Sequence, residues 1–329
     1  SFLLFKSSFK SKQTSDPGTQ VLIRYTLRLL TTQQFERATA LVLASEYIRK
    51  SSKLCDENSK VFSIGLWIGE PSSPNWRKDA LKILENEEIQ TGDPRQITEC
   101  PCCKSSLIWD LKPAEPIRPS CKNKECKLYG DLSLYTVDED IYNVRPSILL
   151  GTTDKFIRIL KVPATNNLFF SATGRNPELI LQDELHLISG PLGSISGLFE
   201  SAIDMICSKK NPIKIIGSTA TIKNASVQVK SLFDRDLIQF PPQGTSFNDS
   251  CFAVEDESKS GRLYIGVSTM CNSPKLALSG IVAAAFHHAQ SIYKEIEDDN
   301  PHKLQAETYT TLVSYFNSLK ELGGANVLY

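Results

Sequence analysis

Two adjacent carboxylates follow a short apolar run near the middle of the chain. Asp183 and Glu184 stand directly after the run Leu179–Leu181, and His186 follows two residues later. A strand that ends in such a pair can hold Mg²⁺ through water with its first carboxylate and polarise an attacking water with its second. The pair therefore predicts nucleotide hydrolysis, and the alternative is a helix N-terminus whose acidic residues complement the helix dipole.

A second polar motif follows the next apolar run, Ile213 to Ile216. It reads Gly217-Ser218-Thr219-Ala220-Thr221. Its hydroxyls can sense the state of a phosphate and couple it to movement, or they can act as turn and cap groups. We expect His186 to link the carboxylates to this strand and not to bind metal; the alternative is a histidine that is only packed and hydrogen-bonded. The candidate coupling residues are Ser218, Thr219 and Thr221.

Two further strand-end segments carry groups that suit a nucleic-acid backbone. Hydroxyls, amides and guanidiniums fix position on phosphates without reading sequence, and a glycine lets a backbone N–H approach a phosphate closely. Either segment can instead be an ordinary helix cap. The candidate contacts are Arg24, Thr26, Arg28, Thr32 and Gln33 after the first run, and Gly151, Thr152, Thr153 and Lys155 after the second.

Five of the nine cysteines lie between Cys100 and Cys126. Cys100 and Cys103 have the spacing of a metal-binding knuckle, and Cys121 with Cys126 can complete a tetrahedral Cys₄ zinc site. Such a closed site has no open coordination position, so we expect a structural role. Cys102 is a spare that can replace Cys103, and the alternative is a set of reduced, metal-free thiols. Clustering without a secretory signal indicates a reducing compartment, the cytoplasm.

Composition limits the classes of function. The 329 residues are 41% hydrophobic and 22% charged, which is typical of a globular protein, and the formal net charge is zero. Any nucleic acid must therefore meet a local basic groove, because bulk charge offers no attraction. No apolar stretch approaches the roughly 18 residues needed to cross a bilayer, so we expect no membrane partner.

Strands alternate with helices over residues 20–232, which predicts a parallel, doubly wound α/β sheet with helices on both faces. Ligands of such sheets lie at the carboxyl ends of the strands, where the motifs above fall. The predicted strands are Val21–Tyr25, Val61–Trp67, Ser147–Leu150, Leu179–Leu181, Ile213–Ile216, Arg262–Val267 and Thr308–Phe316. The predicted helices are residues 1–10, Thr31 or Thr32 to Arg49, Asn75–Ile89, one from Thr152 or Thr153, one through Leu198–Ile206, and Ala277–Glu297.

Taken together, these residues resemble superfamily 2 DExH helicases and, within them, the large helicase subunit of the DISARM anti-phage system. The resemblance implies RecA-like P-loop domains that clamp ATP and Mg²⁺ and move along DNA, single-stranded or duplex with an overhang, with other DISARM subunits as partners. It implies that Asp183 binds Mg²⁺, that Glu184 is the general base, and that the segments holding Arg24 and Lys155 bind the DNA backbone. The residues that carry it are 24–35, the cysteine module, 151–156, 182–193, 217–222 and 315–319.

The sequence contains no Gly-x4-Gly-Lys-Ser/Thr loop, which the motor needs to hold the β- and γ-phosphates. We interpret the chain as a fragment truncated at both ends, inactive by itself. The expected organisation is a first motor domain at 1–232 that lacks its phosphate loop and carries a zinc-ribbon-like insertion at 97–135. A linker or accessory segment at 233–302 follows, and a second RecA-like domain begins at 303–329.

Two other functions stay open on the sequence. One is a catalytically inactive, zinc-containing scaffold that binds nucleic acid on a degenerate motor fold. The other is an RNA helicase, because contacts to the backbone do not separate DNA from RNA unless they sense the 2′-hydroxyl. A phosphate loop encoded upstream would favour the motor over the scaffold.

Overall fold

A computed structural model describes most of the chain, with the side chains of 28–31 left aside. The described residues are 18–26, 28–52, 60–69, 71–85, 92–109, 112, 114–156, 162–169, 176–207, 212–220, 224–242, 244–245, 256, 258, 261, 263–268, 273–296 and 311–327. They fall into two compact units, residues 1–240 and 241–329. The predicted helix at 1–10 and the candidate Thr221 lie outside the described residues.

The first unit is built on a six-stranded parallel sheet. Its strands are β1 (Val21–Tyr25), β2 (Ile64–Trp67), β6 (Leu134–Tyr135), β7 (Ile148–Thr152), β8 (Leu179–Gln182) and β9 (Lys214–Gly217). Across the sheet the order is β6-β2-β7-β1-β8-β9. The strands in its middle are apolar runs without alternation, as expected where a parallel sheet is covered on both faces.

Helices cover both faces of this sheet. They are α1 (Arg28–Ser52), α2 (Arg77–Leu84), α3 (Asp138–Val144), α4 (Thr153–Phe156), α5 (Asn166–Phe169), α6 (Gly190–Cys207) and α7 (Ala225–Phe233). One core joins Phe35 and Val42 of α1 to Leu150. The other joins Leu22 and Leu149 to side chains of α4, α5 and α6. The predicted α/β architecture is confirmed.

The cysteine module forms a small antiparallel sheet beside the large one. Its strands are β3 (Ile108–Trp109), β4 (Pro119–Cys121) and β5 (Gly130–Asp131). The module is not a separate lobe, since Cys100, Ile117 and Cys121 belong to the same buried cluster as Phe35 and Leu150. The packing of the large sheet and the packing of the module therefore depend on each other.

The second unit has two described helices, α8 (Pro274–Glu295) and α9 (Leu319–Asn326). Each begins at a serine whose hydroxyl accepts a backbone N–H: Ser273 caps α8 and Ser318 caps α9. The described residues of the two strands predicted here, 263–267 and 311–316, are not strands. Their β-branched and aromatic composition matched a strand pattern, but within the described residues no neighbouring strand pairs with them.

One predicted helix start is also wrong. The first long helix begins at Arg28, so Thr31 and Thr32 lie inside its first turns and are not caps. A threonine before an apolar-periodic run is only a local signal, whereas the helix is also held by its buried face on the sheet.

Candidate nucleotide and nucleic-acid site

Four neighbouring strands bring the four predicted motifs to one edge of the sheet. Arg24 is level with Gly151 on one side and with Gln182 on the other. Gln182 is in turn level with Gly217. Since the strands are parallel, the residues that follow these positions leave the sheet side by side.

Asp183 and Ser218 are the first residues beyond β8 and β9, and their side chains are joined. The Ser218 hydroxyl donates to Asp183 Oδ1, and the Ser218 N–H donates to the Gln182 carbonyl oxygen at 2.9 Å. Asp183 Oδ1 also accepts the Glu184 N–H at 3.0 Å. The carboxylate expected to hold Mg²⁺ is thus oriented by the motif expected to respond to the phosphate.

His186 connects the same two segments a second time. Its Nδ1 lies 3.1 Å from the Thr219 hydroxyl and 3.2 Å from Glu184 Oε2. Asp183, Glu184 and His186 are half-buried, and Ser218 and Thr219 are exposed. A change at either segment therefore reaches the other through two side-chain contacts.

The backbone at Glu184 has an unusual conformation. Its φ of 49° and ψ of 48° lie in the left-handed region, which costs a residue with a side chain about 1 kcal/mol. The 3₁₀ turn Leu185–Leu187 follows at once. Gln228 of α7 holds this turn by donating to the carbonyl oxygens of Leu185 and Ile188 at 2.9 and 2.8 Å. The tight turn is what brings the Glu184 and His186 side chains within reach of each other.

Tyr25 lies next to this site at the end of β1. Burial raises the pKa of its hydroxyl, and the negative charge of Asp183 raises it further. The phenol is therefore neutral at physiological pH.

Arg24 does not face the edge where a phosphate backbone would lie, which leaves its expected contact with DNA without structural support. Its side chain is 1% exposed and is paired with Glu200 of α6 through both guanidinium NH₂ groups. The guanidinium also lies over the Phe156 ring, 5.1 Å from the centroid. A buried arginine with a full carboxylate partner is not available to DNA, so Arg24 fixes α6 to the sheet.

Lys155 is also withdrawn from the surface. Its ammonium is 1% exposed, donates to Asp138 Oδ2 at 2.5 Å and donates to Asn75 Oδ1 at 3.2 Å. Thr152 and Thr153 are 1% and 7% exposed, and the Thr153 hydroxyl donates to the Tyr25 carbonyl oxygen at 3.3 Å. Lys155 and Thr153 are thus bonded to neighbouring elements and the Thr152 hydroxyl is buried without a hydrogen-bond partner, which leaves the expected contacts of these side chains with DNA without structural support.

Gly151 has a packing reason to be glycine. A Cβ there would lie 2.8 Å from the Trp67 carbonyl oxygen and 3.0 Å from Phe156 Cε2. The remaining candidates are placed as follows: Thr26 and Thr32 are half-buried, Gln33 is exposed, and Arg28 starts α1. Thr32 and Gln33 thus still border solvent, whereas the Thr26 hydroxyl is buried without a hydrogen-bond partner.

The four predicted metal ligands come together. The sulfur atoms of Cys100, Cys103, Cys121 and Cys126 all lie within 4.8 Å of one another. The Cys100–Cys126 and Cys103–Cys121 sulfur pairs are 3.8 and 3.7 Å apart. A tetrahedral ion with 2.3 Å metal–sulfur bonds requires about 3.8 Å between sulfurs. Cys102 is exposed and lies outside the cluster, so Cys103 is the member of the first knuckle.

The local contacts of these thiols also suit a metal site. Hydrogen bonds with Ser105 lower the pKa of Cys103 to about 6, whereas burial raises the pKa of Cys100 and Cys126. The Leu128 N–H donates to the Cys126 sulfur at 3.3 Å. Thiolates are the form that binds a metal, so a cation taken up by these buried thiols would release protons.

Sequence reasoning missed the acidic partners of the two buried cations. Glu200 stands in a helix, 176 residues from Arg24, and Asp138 stands 17 residues before Lys155. Asp138 and Asp140 did carry one usable signal. Both lie in a short acidic run with apolar residues directly before and after it. A solvated turn is usually flanked by polar residues, so this pattern indicates buried carboxylates.

The parallel sheet and its edge define the class of protein: an α/β protein with a six-stranded parallel sheet flanked by helices and with a four-cysteine module. No protein-family model matches the chain. Over nearly its whole length the chain is similar to the DISARM protein DrmA of Bacillus paralicheniformis, with 36% identity over 377 aligned residues. That alignment covers 97% of this chain and 33% of DrmA. The chain is therefore a relative of DrmA, which confirms the resemblance, and it spans about a third of the length of that curated relative.

Solved helicase structures share distant likeness with the chain. The DUF1998 helicase MrfA bound to DNA has a TM-score of 0.34 and 13% identity, covering 71% of this chain and 21% of MrfA. MrfA in a second crystal structure has a TM-score of 0.31 and 14% identity, covering 67% and 22%. The Hef helicase domain of Pyrococcus furiosus has a TM-score of 0.23 and 12% identity, covering 66% and 34%.

Among the helices that the structure describes, none combines the length and apolar character that a bilayer crossing requires.

Proposed function

We propose that this chain is the central part of an ATP-dependent DNA helicase or translocase that acts in anti-phage defence. The observation that carries the proposal is the junction of the two strand-end motifs, in which Ser218 donates to Asp183 and His186 contacts Thr219. The similarity of the chain to the DISARM protein DrmA supports the role in anti-phage defence. ATP and Mg²⁺ are the proposed cofactors, and the proposed partners are DNA and other DISARM subunits.

In the proposed mechanism Asp183 would hold Mg²⁺, which would neutralise phosphate charge, and Glu184 would orient and deprotonate the attacking water. When the γ-phosphate leaves, the charge beside Asp183 and Glu184 changes. Ser218 and Thr219 are bonded to these residues directly or through His186, so β9 is the element that can carry the change onward. Nucleic acid would meet the neighbouring strand end at Thr32 and Gln33, which border solvent.

Glu184→Gln tests the chemical step in the complete gene product. The amide keeps the shape of the side chain but cannot accept the proton, so hydrolysis should fall by about 10²-fold or more, while binding of radiolabelled ATP is retained. Glu178→Gln is the matched control, because this exposed carboxylate stands at the opposite end of the same strand. Equal turnover in the two variants would remove Glu184 from the role of base.

We also propose that the four-cysteine cluster holds a structural Zn²⁺. A closed set of four thiolates at tetrahedral spacing supports this ion. Elemental analysis should find one zinc per chain in wild type and in Cys102→Ser, and a large loss in Cys103→Ser. Retention of zinc by Cys103→Ser, or its loss from Cys102→Ser, would contradict the assigned ligand set.

A further inference from the structure

The first turn of α3 lies between the cysteine module and the strand-end segment Gly151–Lys155. It opens with three consecutive acidic residues, Asp138, Glu139 and Asp140. Asp138 and Asp140 are 2% and 0% exposed. Carboxylates this deeply buried need charged or hydrogen-bonding partners, because removing an isolated charge from water is costly.

Asp140 connects the first turn of α3 to the cysteine module. Its Oδ2 accepts the backbone N–H of Ile117 at 2.9 Å, and its Oδ1 accepts Arg77 Nε–H at 2.9 Å. Ile117 is 1% exposed and leads into β4, the strand that ends at the metal-ligand candidate Cys121. Asp140 thus holds the backbone four residues before Cys121.

Asp138 connects the same turn to the Gly151–Lys155 segment. Its Oδ2 accepts Lys155 Nζ–H at 2.5 Å and the Tyr142 hydroxyl at 3.3 Å. The Tyr142 oxygen in turn accepts the indole N–H of Trp67 at 3.1 Å. The ammonium of Lys155 therefore fixes the end of the Gly151–Lys155 segment to α3 and, through Trp67, to the end of β2.

We infer that Asp138 and Asp140 are positioning residues that couple the metal module to the Gly151–Lys155 segment. Both carboxylates project from one helical turn, so the module and the segment share a single rigid support. Metal binding by the four cysteines then sets the position of β4, of Asp140, and through α3 of Lys155. The coupling rests on the proposed metal site but not on the proposed motor activity, and elemental analysis for zinc separates a failure of the metal site from a failure of the coupling.

Amide hydrogen exchange of the whole chain, with its metal and after chelation, tests this coupling. Metal removal should speed exchange in residues 151–156 by about tenfold. Exchange in β9, on the far side of the sheet, should stay as it was. Faster exchange confined to residues 100–126, with residues 151–156 unchanged, would overturn the inference.

Asp140→Ala decides the question even if metal removal loosens the whole sheet. This variant should keep its metal, show the faster exchange at 151–156, and gain little more on chelation. Glu139→Ala is the matched control, because Glu139 accepts the Arg77 N–H but contacts neither Ile117 nor Lys155 in the hydrogen bonds described. Wild-type exchange at 151–156 in metal-loaded Asp140→Ala would overturn the coupling.

These measurements use the protein without nucleotide or DNA. A failed coupling would therefore leave the proposed motor activity untouched, and an absence of ATP hydrolysis would leave the coupling untouched.

Discussion

The backbone N–H of Asp183 donates to the carbonyl oxygen of Arg24 over 2.9 Å. The main chain of Arg24 thus orients the first carboxylate of the site, while its side chain holds Glu200 in α6. Because α6 follows the 183–189 turn directly, Arg24 holds both the start of that turn and the helix that comes after it. Arg24 frames the site without facing solvent.

Arg24→Met should therefore act on stability. It leaves Glu200 as a buried, unpaired carboxylate, and breaking such a pair from one side costs about 3–5 kcal/mol. The double variant Arg24→Met, Glu200→Met should recover a large part of that loss, because no charge is then left buried. Urea denaturation of the two variants measures both values.

A direct DNA role for Arg24 predicts a different pattern. In that case Arg24→Met would keep near-normal stability and lose affinity for DNA, with a smaller dependence of binding on salt. The salt dependence of DNA binding by the folded variant separates the two roles.

Gly151→Ala should destabilise the first unit, since the added Cβ would lie 2.8 Å from the Trp67 carbonyl oxygen. Overpacking of this kind costs about 1–3 kcal/mol. Gly197→Ala in α6 is the control: its Cβ meets only Ser231 O at 3.6 Å, and alanine favours a helix by about 1 kcal/mol. Thermal unfolding should show opposite shifts for the two variants, and a neutral Gly151→Ala would show that β7 can move away from β2.

Stability should also depend on pH through Lys60. Burial lowers its pKa from 10.5 to about 8, and its ammonium donates to the Val144 and Arg145 carbonyl oxygens at 3.2 and 2.8 Å. Between these two pKa values the unfolded chain binds more protons at this site than the folded chain. Burial of the charged ammonium therefore destabilises the folded protein fully below pH 8, and this destabilisation disappears as the pH rises to 10.5.

Comparison with Lys60→Met isolates this contribution. Relative to that variant, wild type should gain up to about 3 kcal/mol of unfolding free energy between pH 7.5 and 10.5. Urea denaturation of both proteins at several pH values measures the difference. A difference that does not change with pH would mean that Lys60 keeps its ordinary pKa in the folded protein.

Apolar runs and the residues at their ends were enough to predict the sheet and the adjacency of Asp183 and Ser218. Parallel strands end at one edge, so the positions of polar residues after each run carry over to the fold. The spacing of the cysteines similarly predicted their cluster. These are properties of local pattern combined with one general rule of topology.

The roles of Arg24 and Lys155 could not be predicted in this way. A cationic side chain at a strand end can point to solvent or into the layer of helices that covers the sheet. It points inward only where that layer contains a carboxylate that can pair with it. Glu200 and Asp138 supply that partner from other elements. The burial of Arg24 and Lys155 results from tertiary packing, and the residues near each cation in the sequence carry no information about that packing.

ATP hydrolysis by the complete gene product, with and without single-stranded DNA, tests the central claim most directly. Wild type should hydrolyse ATP faster with DNA, and Glu184→Gln should abolish that activity. His186→Ala should keep hydrolysis but lose much of the stimulation, because it breaks the contact with Thr219. Absence of hydrolysis in wild type under both conditions would contradict the motor and favour a zinc-bearing scaffold, and stimulation by RNA alone would contradict the choice of DNA.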